Sequence, residues 1–360
     1  MEIKKIIFIL PSIKTGGGNR VIIELSNQLL LKGIEVDIVY PYNSKDINTF
    51  HVDKKVNFIP IGYSSDSKIV KVKNLLKVFS YLNSNYKNEI LVFTDPIMSI
   101  LLPLIKKNNI YRFIQADDYT IFDDLLILKN RIILNIYKLL TKLSYRYKVN
   151  YLFNSRYTYN QFINITNQKE IEYKLIHPAL NHNIFYNQKI RNKSEVNICL
   201  IARKHPWKGF IDFIKPFHEM KNIHVKNVYI ISHDDLSAFD LEGMNHIKPK
   251  NDEEIALYMN KSHIFISTSW WEGFGLPPIE AMACGCSVIL TNSGGVNEYA
   301  IADKNCLMYE PKDSNTLKNH IETLINDNIL RTKLSHNSII TSEKFYWEKS
   351  VEQLLKALND

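Results

Sequence analysis

Glu272-Gly-Phe-Gly-Leu-Pro-Pro-Ile-Glu280 follows a short apolar run, Ile264 to Ser267, and leads into Ala281-Met-Ala-Cys-Gly285. This order reads as strand, glycine turn and helix. Proline is tolerated near the first turn of a helix because the amide it lacks has no partner there anyway. A helix entered through Pro277 and Pro278 therefore leaves backbone N–H groups, and the positive end of its dipole, beside a flexible loop. Such a place takes an anion. Glu280 is expected in the first turn, where its two oxygens can accept both hydroxyls of a ribose diol, and Glu272 can accept hydroxyls of a sugar held nearby.

The same theme recurs on both sides of this stretch. Apolar runs at Lys5 to Leu10, Glu35 to Tyr40, Ile90 to Thr94, Arg112 to Gln115 and Tyr151 to Asn154 alternate with helical patterns. In the first of those helices Val21, Ile22, Leu25, Leu29 and Leu30 share a face, and Gly33 closes it. A polar stretch, Asn181 to Glu195, interrupts the series. It restarts at Val196 to Ala202, Val228 to Ser232, Ile264 to Ser267 and Ser287 to Thr291. Alternation of this kind indicates an α/β fold on parallel sheets. With 360 residues the chain exceeds the roughly 250 to 300 at which single cores stop growing. The expectation is two Rossmann-like domains facing a central cleft: residues 1–182, a linker at 183–195, and residues 196–344. Residues 345–360 form an amphipathic helix, with Val351, Leu354, Leu355 and Leu358 on one face, expected to pack back on the first domain.

Composition narrows the class. Hydrophobic residues make up 45% of the chain, enough for buried cores, and the net charge of +8 favours an anionic partner. The apolar run Ile6 to Leu10 ends at Pro11, shorter than the ~7 to 15 residues of a signal peptide core, and reads as a buried strand. No stretch approaches the ~20 apolar residues of a membrane span. The 4 cysteines suit a reducing compartment, and Cys284 and Cys286 read as small packing residues. A cytoplasmic protein is expected.

A second cluster follows Val196 to Ala202: Arg203-Lys-His-Pro-Trp-Lys208-Gly209, ahead of Phe210, Phe213, Ile214 and Phe217 at helical spacing. Cations at the carboxyl end of a parallel strand point into the ligand crevice of an open α/β sheet. Arg203 with its fork of donors and Lys208 as a point charge can neutralise a pyrophosphate there. A third element, Thr15-Gly-Gly-Gly-Asn19, lets backbone approach a ligand from the other domain, and Gly294-Gly295 forms a comparable loop. Gln115, Asp117 and Asp118 follow a strand and are expected to reach the cleft on the acceptor side. The acid pairs Asp117–Asp118, Asp123–Asp124 and Asp234–Asp235 are each adjacent in sequence, so on a strand their side chains diverge, and no metal is assigned.

Two basic amphipathic stretches lie in the first domain. Lys68, Lys71, Lys73 and Lys77 alternate with Ile69, Val72, Leu76 and Phe79, and Arg131, Lys138, Lys142 and Arg146 with Ile132, Ile136, Leu139 and Leu143. The ordinary reading is an apolar stripe facing the core with a solvated basic face. The other is docking on an anionic membrane surface, where each basic residue adds ~1 kcal/mol.

The segment from Glu272 to Glu280 resembles the signature of the GT-B family of retaining glycosyltransferases of group 1, in which two glutamates separated by seven residues flank such a loop. The resemblance covers nearly the whole chain, including the glycine turn, the Arg203–Lys208 pair, the helix start at Asp252 to Tyr258 and Phe345-Tyr-Trp-Glu348 before the last helix. It implies that Glu280 binds the nucleotide ribose and that Glu272 lies at the donor sugar. It also places Gly17, Gly18, Gly273, Phe274, Gly275 and Leu276 along the donor, through their backbone amides. Arg203 and Lys208 would stabilise the departing diphosphate in place of a metal or cofactor. The partners implied are a nucleoside-diphosphate sugar and a glycan, lipid-linked glycan or glycoprotein acceptor, with no nucleic acid. Retention of anomeric configuration is implied by the family alone. Two rivals share the fold: a sugar-nucleotide epimerase, and a non-catalytic partner subunit. The glutamate spacing together with Arg203 and Lys208 argues against the first, and the presence of all four donor-site residues against the second.

Overall fold

The computed structural model describes residues 3–13, 16–42, 51–65, 67–106, 109–120, 129–168, 171–192, 195–220 and 224–359. Thr15 and the Asp123–Asp124 pair lie outside the described residues. The chain divides into two compact units, residues 1–178 with 347–360, and residues 179–346.

In the first unit the order is β1 (Lys5–Ile9), α1 (Gly17–Leu31), β2 (Glu35–Pro41), β3 (Asn57–Ile61), α2 (Lys68–Asn85), β4 (Ile90–Phe93), α3 (Pro96–Ile100), β5 (Ile110–Ile114), α4 (Arg131–Ser144), β6 (Asn150–Phe153) and α5 (Arg156–Thr166). The strands pair in the order β3-β2-β1-β4-β5-β6, all parallel. β1 is buried from Ile6 to Ile9, as expected of a central strand covered on both faces. The second unit runs β7 (Val196–Ile201), α6 (Phe210–Glu219), β8 (Val225–Ile231), β9 (Asn245–Ile247), α7 (Asp252–Lys261), β10 (Ile264–Ser267), α8 (Leu276–Ala283), β11 (Ser287–Thr291), β12 (Leu307–Tyr309), α9 (Ser314–Asn326) and α10 (Asn328–Ser342). Its sheet has the order β12-β11-β10-β7-β8-β9, again parallel. The last helix, α11 (Trp347–Asn359), returns to the first unit and contacts α1. There Ser350 Oγ donates to the His177 carbonyl at 2.6 Å, and Tyr111 Oη to that of Leu358 at 3.2 Å.

The α/β reading holds, and the strands that sequence patterning missed are β3, β9 and β12. All three lie at sheet edges, and β9 and β12 have only 3 residues each. An edge strand buries less, so its apolar pattern is weak: in β3 no residue is fully buried.

The expected core-facing stripes are corrected. On α4, Ile132, Ile136, Leu139 and Leu143 are exposed, while Leu134, Thr141 and Ser144 are buried. On α2, Ile69, Val72 and Leu76 are exposed, and Phe79 is buried with Asn74, Val78 and Leu82. A polar group takes part in both inward faces, on α2 beside the apolar Val78, Phe79 and Leu82. Ser144 Oγ accepts from Arg112 Nη1 at 2.8 Å, inside the unit. The Asn74 amide donates to the carbonyls of Tyr42 and Tyr63 at 3.0 and 2.8 Å. A buried polar group must find its partner, and that requirement overrides where the apolar stripe points. Among the described residues, no helix is long and apolar enough to cross a membrane.

Candidate functional site

The two clusters read from the sequence meet in the second unit. The loop after β7 carries Arg203 and Lys208, and the loop after the neighbouring strand β10 carries Glu272. Lys208 Nζ and Glu272 Oε1 are 2.7 Å apart, with side chains 28% and 18% exposed. The backbones behind them are tied together. Trp270 N donates to the Trp207 carbonyl at 2.7 Å, and Thr268 Oγ1 to that of Lys208 at 2.8 Å. Gly209 lets the loops come this close: it sits at φ +62°, and a Cβ there would lie 2.0 Å from the Thr268 carbonyl oxygen. No other residue fits without moving backbone.

A third loop, after β11, supports Glu272 from the other side. Glu272 N donates to the Ser293 carbonyl at 2.8 Å, and Gly295 N to the Glu272 carbonyl at 3.0 Å. A Cβ on Gly295 would stand 2.2 Å from the Gly273 carbonyl oxygen, so the Gly294-Gly295 turn packs directly on the signature loop. Gly275 caps α8 without a side-chain bond, and Pro277 and Pro278 fall in its first turn, so α8 opens on bare backbone. Phe274 is buried against Tyr299 and Phe345, with ring centroids at 5.4 and 5.7 Å, and Tyr299 Oη donates to the Gly275 carbonyl at 2.6 Å. The loop is therefore anchored by its one aromatic side chain, and Leu276 is buried beside it. Glu280 departs from expectation in one respect. Since α8 begins at Leu276, it is the fifth helical residue, past the first turn, and it is buried at 2% exposure.

Three features escaped sequence reasoning. Asp234, part of a pair weighed only as a metal ligand, accepts from Arg203 Nε at 3.1 Å and from the Lys204 amide at 2.9 Å. Burial works to raise its pKa, but the Lys204 amide and the Arg203 charge outweigh it and hold the carboxyl below its usual range. Arg203 is thus oriented by an anion from the end of β8. Secondly, Trp207 and Trp271 stack with centroids 5.2 Å apart and planes within 8°, and His205 lies 4.5 Å from Trp207. The only signal was positional: a tryptophan directly precedes each member of the Lys208–Glu272 pair. Thirdly, Trp270 Nε1 donates to Asp212 Oδ2 at 2.6 Å, while Lys312 Nζ lies 3.9 Å from the Trp270 ring centroid. These contacts tie α6 and the segment after β12 to the same loop.

The candidates in the first unit are built differently. Gly17 and Gly18 open α1, which has no side-chain cap, and a Cβ on Gly18 would lie 3.7 Å from Gln115 Nε2. The glycine turn and Gln115 are therefore neighbours, and Gln115 Oε1 is buried without a hydrogen-bond partner among the described residues. Asp117 and Asp118, expected to reach out toward an acceptor, are buried and engaged inside the unit. Asp117 accepts from the Tyr119 and Thr120 amides at 3.2 and 2.9 Å and from Thr120 Oγ1 at 2.7 Å. Asp118 accepts from Arg112 Nη2 at 3.1 Å, and the Arg112 guanidinium lies 4.4 Å from the Tyr145 ring centroid. Burial pushes the Asp118 carboxyl up to about 7, against the pull of Arg112.

Similarity to known proteins follows this geometry. Residues 183–340 match the family model for glycosyl transferases group 1. An uncharacterized glycosyltransferase of Methanocaldococcus jannaschii is 31% identical over 57% of this chain, and the match spans 58% of that relative, a little over half its length. Among solved structures, sucrose-phosphate synthase from Thermosynechococcus elongatus superposes with a TM-score of 0.81 at 16% identity, over 98% of both chains. Anabaena HepE, solved in complex with UDP-glucose, gives a TM-score of 0.72 at 16% identity over 99% of both chains. The two-unit fold is that of the GT-B glycosyltransferases, and residues 183–340 are similar to the group 1 glycosyl transferases.

Proposed function

We propose that this protein moves a hexosyl or deoxyhexosyl group from a nucleoside-diphosphate sugar to an acceptor hydroxyl, with retention and without a metal ion. The observation that carries this reading is the 2.7 Å approach of Lys208 to Glu272 on loops fixed by backbone bonds. A cation for a diphosphate and a carboxylate for sugar hydroxyls stand one hydrogen bond apart, beside the bare amino end of α8. Arg203, held by Asp234, adds a second cation. In the proposed step the bond from the sugar C1 to the phosphate oxygen breaks as the acceptor oxygen bonds C1 on the same face. The acceptor proton passes to the departing phosphate oxygen. Arg203, Lys208 and the α8 amides stabilise the charge on that oxygen, the kind of fixed electrostatic term that dominates many enzymatic accelerations. Glu280 is assigned to the ribose. The solved complex of Anabaena HepE with UDP-glucose supports a sugar nucleotide as the ligand class.

The acceptor is proposed to be a glycan on a lipid or protein carrier at an anionic membrane surface. The exposed apolar stripes and basic residues of α2 and α4 support that placement. The primary test is a thermal-shift series with UDP, GDP, ADP and dTDP and their sugars. A ligand at ~100 times its dissociation constant stabilises the fold by ~2.7 kcal/mol. No shift with any of them would sink the reading.

A further inference from the structure

Lys208 and Glu272, assigned above to diphosphate and sugar, are each other's partner at 2.7 Å. Their backbones have no freedom to separate. Glu272 is held through Ser293 and Gly295, and Lys208 through Thr268 and the Trp207–Trp270 bond. The Trp207–Trp271 stack closes the same two loops. Only the side chains can exchange partners. The neighbouring pair behaves differently. Asp234 meets Arg203 at Nε and also holds the Lys204 amide, so an anion can take the terminal guanidinium nitrogens while that bond stays.

We propose that the Lys208–Glu272 pair is an exchangeable latch that makes the site prefer an intact sugar nucleotide to a free nucleoside diphosphate; this rests on the donor-site reading above. A ligand that brings only a diphosphate takes Lys208 and leaves the Glu272 carboxylate without its cation, half-buried beside a second negative group. That is the costly state for a charge. A ligand that also brings a sugar offers hydroxyl donors to Glu272 in exchange. Both groups are then satisfied. After transfer the sugar is gone, Lys208 returns to Glu272, and the diphosphate product is expelled. Specificity here comes from a penalty placed on the wrong ligand as much as from contacts to the right one.

The test compares UDP, GDP, ADP and dTDP binding to the full chain and to Glu272→Gln by calorimetry. The variant is expected to bind whichever diphosphate the wild type binds about tenfold more tightly, and its sugar nucleotide more weakly. In a Lys208→Met background, where the latch is already open, Glu272→Gln should bring a clearly smaller gain, since only the repulsion between Glu272 and the diphosphate is left to relieve. Should the glutamine variant fail to fold, Glu272→Ala gives the same readout. Wild-type binding of a diphosphate with no gain in Glu272→Gln overturns the latch alone. Wild type that binds none of the four diphosphates and none of their sugar nucleotides overturns the donor-site reading and the latch with it.

Discussion

Two carboxylate–cation pairs stand beside parallel strands, one in each unit, and they do opposite things. In the second unit Lys208 and Glu272 are 28% and 18% exposed, so a ligand can reach both and replace either partner. In the first unit Arg112 and Asp118 are 1% and 9% exposed, and Ser144 and the Tyr145 ring surround the guanidinium. Each pairs a basic side chain with a carboxylate that follows a strand, Glu272 after β10 and Asp118 after β5. Burial separates them: a half-exposed pair can trade partners, whereas a closed pair is part of the frame. Carboxylates near a candidate crevice therefore become site residues only once their other partners are accounted for.

The comparison breaks most sharply at Arg112. Removing it leaves Asp118 buried without its cation, a class of change that costs ~3 to 5 kcal/mol. Arg112→Ala is expected to lower the urea midpoint strongly, and a variant as stable as wild type would return Asp118 to the list of ligand groups. Lys208→Ala should do the reverse. Its pair is only partly buried, so leaving Glu272 without its cation should cost about 1 to 2 kcal/mol of stability, less than at Asp118. Loss of the proposed leaving-group cation should instead cut turnover by ~10² to 10³, about 2.7 to 4 kcal/mol. Steady-state rates with the sugar nucleotide found by thermal shift measure this. A Lys208→Ala enzyme with unchanged turnover would remove the lysine from the chemistry.

The same contrast explains what was legible beforehand. Central strands announce themselves because burial on both faces makes them continuously apolar, as in Ile6–Ile9 and in Val288, Ile289 and Leu290. The proposed donor site was legible because its residues are local: Glu272, the glycines, the prolines and Glu280 lie within one turn and one helix. Arg203 and Lys208 lie far from that segment in sequence, yet both clusters end adjacent strands, and the parallel topology brings them together. What stayed hidden depends on long-range partners. Asp234 finds Arg203 only when β8 pairs with β7, and Asp118 finds Arg112 only when the chain folds back after β5. The α4 stripe was misjudged for the same reason. Period gives the faces of a helix, but the polar cluster around Arg112 decides which face turns inward.

That misjudged stripe carries the smallest expected effect on stability. Ile132, Ile136, Leu139 and Leu143 recur at helical spacing, so they form one continuous apolar strip, and they are 73%, 49%, 57% and 41% exposed. Arg131, Lys142 and Arg146 are exposed on the same segment, and Lys138 lies 4.5 Å from the Tyr119 ring centroid. An apolar strip bordered by bases suits the interface of an anionic bilayer, where the chains enter the acyl boundary and the cations stay at the headgroups. Leu139→Glu should change folding stability by no more than about 0.5 kcal/mol, because the site is already solvated. Yet it should cost much of the ~1.5 to 3 kcal/mol that a fully embedded leucine contributes, and add a charge of the wrong sign. Flotation with phosphatidylglycerol-rich vesicles at low salt would then recover wild type in the lipid fraction and leave Leu139→Glu below it. If wild type fails to float, or if the two proteins float equally, the strip is not a lipid surface. The proposed membrane placement of the acceptor then falls, while the proposed donor site in the second unit is untouched.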